Sequence, residues 1–393
     1  MSRVGGRVPA VRLAVVASST SLLKRLLVGR PYRSDESRPT TLPKRIAWPT
    51  FAADPLSSVA YAPGQILMAL SAAGAAAFVF APAVAAGVVL VLLTVVASYR
   101  YTVREYPSGG GDYEVATANL GRRAGLLVAS ALLVDYMLTV AVSVAAAVDH
   151  LGAMAPFVTD HRVAFAVAVV ALLVAVNLRG VRQSGLLFAL PTYAFLAGMV
   201  ALVGWGGWRI AVRGEDLRAP SADLTVDGLP AAGGLAGLAL VYLLLRAFAS
   251  GSVALTGIQT LANRVPAFKP PKPRNAAIAL VTVGLIAGTL LLSIVALARA
   301  TGLRYVEQPA RQIADGGGYV QPPVTAQLAE TVFGDRSPIF YLVLAVTALV
   351  LGFAANTAFD RFPELGARLA YDRYLPRQLH TRGDRLAFSN GVL

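Results

Sequence analysis

No cysteine occurs anywhere in the chain, which excludes disulfides and thiolate metal sites. Histidine is nearly as scarce: His150, His161 and His380 make up all 3, too scattered to read as a metal cluster. Charge is thin as well. Only 14% of the 393 residues are Asp, Glu, Lys or Arg, where a soluble domain carries about 25%. So little charge cannot cover a globule of this size in water. Acid is the scarcer sign, with 21 Asp and Glu against 35 Lys and Arg, a formal net charge of +14. That excess raises the question of nucleic acid, and its placement answers it. Ten basic residues lie between Arg3 and Arg45, against only Asp35 and Glu36, and more sit in short loops between apolar runs. This is how membrane-orientation signals are distributed, so no nucleic-acid partner is expected. No nucleophile–base pair stands out either, and the chain does not read as an enzyme.

Apolar residues fill the space that charge leaves, at 56% of the chain with mean hydropathy +0.62. Phe78 to Ser98 contains no charge at all, and about 20 such residues cross a hydrocarbon core of roughly 30 Å. Eight spans are expected, near 52–73, 78–98, 124–156, 163–178, 186–212, 231–262, 276–299 and 338–358. With this count, Arg100, Arg104, Arg122, Arg123, Arg264, Lys269, Lys272 and Arg274 fall on the amino-terminal side. Glu215, Asp216, Asp223, Asp227, Glu307, Asp315, Glu330 and Asp335 fall on the other. The asymmetry predicts an all-α, multi-pass protein of the cell (inner) membrane with a cytosolic amino terminus. Residues 1–45 read as a basic cytosolic tail, without a signal-peptide cleavage site and suited to anionic lipid, and 46–393 as the transmembrane domain.

Two spans carry helix breakers. The first holds Asp54-Pro55 and Tyr61-Ala62-Pro63-Gly64; the sixth holds Ser250-Gly251-Ser252 and Thr256-Gly257. Broken backbone at membrane depth survives only where protein or a watery cavity satisfies its polar groups. Spans one and six open two five-span halves, and breaks at matching places in two halves point to a transporter site at mid-membrane. Packed helices kinked by Gly and Pro are the plainer alternative. The second half is expected to be incomplete, since the chain stops at Asn390-Gly391-Val392-Leu393, where an apolar run begins.

Asp135 is the leading site candidate. It lies about 16 Å into the span that follows Arg123, where an unpaired Asp costs about 2.5–3.5 kcal/mol. Thr139 and Ser143 follow at i+4 and i+8 on the same helical face, with Tyr136 beside them. One carboxylate with hydroxyls and carbonyls is what a hard cation stripped of water requires. The alternative is an Asp satisfied for packing by those hydroxyls or by Arg246. Tyr61, with carbonyls freed by the Pro63-Gly64 break, extends the oxygen set; otherwise it is an interfacial aromatic. Asp54, seven residues earlier, is a proton or gate group, an N-cap with Pro55 behind it, or both. Ser252 and Thr256 flank the second break as further hydroxyl donors or as packing groups. Gly109 to Gly111 lacks a preceding strand and a following Lys, so it reads as a tight turn rather than a phosphate loop.

Several strings resemble bacterial potassium importers of the KimA type, in the KUP branch of the amino acid–polyamine–organocation superfamily. They are Asp54-Pro-Leu-Ser-Ser-Val-Ala-Tyr61, Tyr106-Pro-Ser-Gly-Gly-Gly-Asp-Tyr113, Asp135-Tyr-Met-Leu-Thr-Val-Ala-Val-Ser143 and Ala254-Leu-Thr-Gly257, continued by Asn356-Thr-Ala-Phe and Tyr374-Leu-Pro-Arg377. The glycine-rich string is shared across the superfamily; the Asp54 and Asp135 strings are more specific. The resemblance implies a LeuT-type inverted-repeat fold, here cut after about eight helices, and proton-coupled potassium uptake. It implies potassium near Tyr61, Asp135, Thr139 and Ser143, with Asp54 near the inner gate in proton coupling. Cargo would be potassium and protons, with no resident cofactor. Members of this type also carry further spans and a cytosolic domain that binds a cyclic dinucleotide, and they dimerise through it, so a homodimer is implied only for the full-length protein. One departure stands out: relatives tend to have Arg just after the Phe-Pro at 362–363, where this chain has Glu364, with Arg361 nearby. A proton-coupled amino-acid permease of the same superfamily is the alternative, though the first breaker helix offers Ser-Ser-Val-Ala-Tyr where such carriers use glycine-rich amides for a carboxylate.

Overall fold

The computed structural model describes residues 41–107, 111–178, 185–227, 237–313 and 319–380. Most of the basic tail, the chain end from 381 and two glycines of the glycine run lie outside the described residues. Among the described residues the chain is helical, with two isolated bridges, Leu42 to Phe268 and Val226 to Ile313, and no strand. The principal helices are α1 (Lys44–Ser71), α2 (Ala81–Glu105), α3 (Asp112–Leu120), α4 (Arg122–Met154), α5 (Arg162–Leu178) and α6 (Gly185–Ala211). They continue with α7 (Gly237–Gly251), α8 (Ile258–Asn263), α9 (Lys272–Ala300), α10 (Val324–Phe333) and α11 (Pro338–Tyr371). The expected spans fall on α1, α2, α4, α5, α6, the broken pair α7–α8, α9 and α11. Lipid offers no hydrogen bonds, so each apolar run satisfies its backbone internally as a helix.

Six of these are long and apolar enough to cross a membrane by length and composition: the segments 75–105, 122–154, 188–211, 237–263, 272–300 and 338–371. This is a multi-pass membrane protein. The two that miss that measure do so for different reasons. α5 is short, at 17 residues. α1 is long but polar, carrying Thr50, Asp54, Ser57, Ser58 and three prolines. It is also the most enclosed helix, buried almost continuously from Ala47 to Leu70. A helix walled by other helices never meets lipid, so it has no need of lipid-like side chains.

The ends of the bundle can be told apart by contacts between loops. At one end Leu42 pairs with Ala267 and Lys269, Tyr113 donates to Asp372, and Arg122 meets Tyr374. At the opposite end the Ala219 N–H reaches the Thr301 carbonyl, Gln312 donates to the Ser71 carbonyl, and Ser221 donates to Gln327. Successive crossings therefore alternate in direction, and α1 runs opposite to α7–α8. Close packing of α9 on α2 uses Gly284 and Gly288, where an added Cβ would sit 2.7 Å from Val96 Cγ2 and 3.0 Å from Val89 Cγ1. Small residues four apart let helix backbones approach where no hydrophobic force separates helix from lipid.

Three expectations are corrected here. α1 is continuous through Pro49, Pro55 and Pro63, without the break expected at Pro63-Gly64. Proline's fixed φ suits a helix, and its cost is the lost N–H and the freed carbonyl four residues back. Enclosure supplies a substitute at one such place: Tyr193 of α6 donates to the Arg45 carbonyl, at 3.0 Å, which Pro49 leaves open. Asp54 is consequently mid-helix and not an N-cap. α11 also runs on to Tyr371, beyond the apolar span ending near 358, because Arg361, Pro363 and Gly366 lie buried against other helices.

Candidate functional site

The break expected in the sixth span is present. α7 ends at Gly251, a 3-10 turn covers Ser252–Leu255, Thr256 is extended, and Gly257 has φ +85° before α8 begins. Left-handed backbone of this kind favours glycine, which has no Cβ to clash. The absent Cβ matters twice, because one added here would meet Pro55 N at 2.6 Å and Asp54 Cγ at 2.7 Å. The break is thus pressed directly on α1.

That contact brings the hydroxyls of the two helices together. Ser58 and Tyr61 share a hydrogen bond at 3.0 Å, Ser58 and Thr256 one at 2.9 Å, and Tyr61 and Thr256 lie 3.5 Å apart. Ser252 turns back instead, donating to the Phe248 carbonyl at 2.8 Å. Asp135, from α4, accepts from Gln259 Nε2 at 2.9 Å. Arg246, weighed above as its partner, is elsewhere: its Nη2 meets both carboxylate oxygens of Glu307 at 2.8 Å. Asp135, Ser252, Thr256 and Gln259 line one cavity of about 730 Å³, which also receives Tyr99 and Asp112.

Thr139 and Ser143 are buried on α4, and Ser143 Oγ has no hydrogen-bond partner. The same stretch packs on Tyr61, which clusters with Ala147, Val142 and Ala146. Buried hydroxyls nearly always have a hydrogen-bond partner, so this one is unusual. Tyr136 parts from the rest. It lines a smaller recess with Asp112, Asn263, Arg361 and Glu364. Adjacent residues on a helix point about 100° apart, and here that step turns Asp135 to the larger cavity and Tyr136 to the recess.

Asp54 is buried, 5% exposed, and accepts from the Thr260 hydroxyl at 3.1 Å. Arg361 is equally enclosed, donates from Nη2 to the Thr260 carbonyl at 2.9 Å, and leaves its Nε unpartnered. Its link to Glu364 is loose, at 3.9 Å. An acid on α1 and a base on α11 are therefore bridged by Thr260. Asp112, at the start of α3, accepts from Tyr99 at 2.9 Å; burial pushes its carboxyl above the ordinary range, and that hydrogen bond opposes the shift.

Sequence reasoning missed Gln259, Thr260 and Ser58. Ser58 lies inside a quoted string and one turn from Tyr61, a signal that was available; Gln259 and Thr260 carry none until α8 is folded against α1 and α4.

The family's sequence model for amino acid permeases matches residues 48–393. The chain belongs to that permease family. It is also 38% identical over 371 residues to the potassium transporter KimA of Bacillus subtilis (strain 168), an alignment covering 94% of this chain and 58% of that protein. The chain thus spans less than two thirds of the length of this relative. Family and relative are transporters rather than enzymes.

Proposed function

We propose that the chain forms the core of a secondary transporter for proton-coupled potassium uptake, working by alternating access in a LeuT-type fold. The observation that carries this reading is the oxygen set gathered at the broken helix. Tyr61, Ser58 and Thr256 bond to one another across α1 and the break, Asp135 faces the adjoining cavity, and Ser143 Oγ is unpaired. Such a set of hydroxyl and carboxylate oxygens suits a dehydrated monovalent cation. The opposed directions of α1 and α7–α8 accord with inverted repeats. The potassium ligands in this reading are Tyr61, Asp135, Thr139 and Ser143, with Ser252 and Thr256 beside them and Asp54 at the gate. The relative's name supports potassium as cargo. Basic residues gathered at the Lys44 end support a cytosolic side for that end, and the reading puts the protein in a cell inner membrane.

The test is potassium uptake by the intact protein in a strain without its own importers. Asp135→Asn keeps shape but removes a charge that contributes about 4 kcal/mol at 4 Å and effective dielectric 20. The expected loss of apparent affinity is about a hundredfold or more, since about 1.4 kcal/mol is tenfold. Unchanged affinity refutes the site. The family model itself favours a second reading, an amino-acid permease. Strong inhibition of potassium uptake by a neutral amino acid would decide for it.

A further inference from the structure

α8 is only six residues long, yet its two consecutive side chains hold the two acids of the proposed site. Gln259 donates to Asp135 on α4, and Thr260 donates to Asp54 on α1 while its carbonyl receives Arg361 from α11. The 100° step between neighbours on a helix is what lets one turn reach two different helices. There is little slack in the arrangement. Ile258, Thr260 and Leu261 are each no more than 2% exposed, and the bonds of 2.9 and 3.1 Å fail with a shift of about half an ångström. Behind α8 lies Gly257 at φ +85°, a point about which a short helix can turn.

We propose that α8 couples cation occupancy to the gate, with Gln259 and Thr260 as positioning residues that make the places of Asp135 and Asp54 interdependent. This rests on the reading that Asp135 holds the cation and Asp54 the gate. A cation arriving at Asp135 competes with the Gln259 amide for the carboxylate. Release of that bond lets α8 turn about Gly257, and the same movement withdraws the Thr260 hydroxyl from Asp54 and its carbonyl from Arg361. Arg361 then has Nη2 free as well as Nε, and both can turn to Asp54.

These 393 residues hold no cysteine, so once any thiol elsewhere in the intact protein is replaced, a single reporter thiol can be introduced. Leu132 lines both the Asp135 cavity and the Arg361 recess, so Leu132→Cys reports on that side of the gate. Its labelling by a water-soluble maleimide is followed in the intact protein in proteoliposomes, with and without potassium at a concentration that saturates each variant. Potassium should change the rate about fivefold or more in the parent. Thr260→Val, of the same shape without the hydroxyl, should abolish the change, and Thr260→Ser should restore it. If the Val variant does not fold, Gln259→Met cuts the other end and should abolish the change likewise. A potassium-dependent change that persists in Thr260→Val or in Gln259→Met, or a Ser variant that behaves like Val, overturns the coupling. Potassium titration of Asp135→Asn separates the two ideas: unaltered binding removes the premise and the coupling with it, whereas weakened binding beside a persistent change in Thr260→Val refutes the coupling alone.

Discussion

Replacing Gly257 by alanine probes the contact on which the site depends. Two costs combine. The first is conformational: φ +85° is left-handed, which costs an L-residue with a side chain about 1–2 kcal/mol. The second is steric. The new Cβ would lie 2.6 Å from Pro55 N, 2.7 Å from Asp54 Cγ and 2.9 Å from Asp54 C. Two of these are backbone atoms of an enclosed helix, so nothing flexible yields, and overpacking of this kind costs about 1–3 kcal/mol. The sum is roughly 2–5 kcal/mol of destabilisation, unless α8 swings away and loses the Thr260–Asp54 bond. Gly352→Ala is the control, because its added Cβ meets nothing within 4 Å in the middle of α11. There alanine should be neutral or stabilising by up to about 1 kcal/mol. Both variants of the intact protein are purified in detergent, and unfolding is followed by heating and by loss of the monodisperse peak. A Gly257→Ala protein that melts with the parent and transports normally refutes the packing of the break on α1.

Asp54→Asn should leave potassium binding measurable but remove the dependence of uptake on the proton gradient; unchanged coupling would leave Asp54 a structural group of α1. Ser143→Ala and Thr139→Ala each remove one neutral oxygen and should weaken potassium affinity less than Asp135→Asn does, so a larger loss in either would contradict the ranking of charge over hydroxyl. Beyond the end of α6, the hydrogen bond from Arg209 holds the Glu215 carboxyl below its ordinary range, with Arg213 adding to it. The stabilisation is therefore complete above the ordinary Glu value and is lost as pH falls through the lowered one. Arg213 also lies over the Trp208 ring at 4.4 Å, and Trp205 stacks on Trp208. The fluorescence of Trp205 and Trp208 in a Trp48→Phe background should therefore change as pH falls below the ordinary Glu range, and a Glu215→Gln variant should not show the transition.

What the sequence determined alone was the helical class and the place of the long apolar helices, because both signals are local. A run of about 20 apolar residues is long enough for the membrane wherever it occurs, and backbone in lipid has no partner outside its own helix. The second break was legible for the same kind of reason: Gly251 and Gly257 bracket Ser252 to Thr256, and only glycine takes φ +85° without strain. Tertiary structure decided the rest, wherever a group's partner is distant in the chain. Pro63 marks a break in sequence, yet α1 runs through it inside a ring of helices. Arg246 is matched by Glu307 and not by Asp135, and which acid it meets depends on how a loop folds back over α7. Gln259 and Thr260 are ordinary polar residues until Gly257 seats α8 on Asp54 and Pro55; a hydrogen bond is a short-range contact, and which residues come within its range is settled by packing.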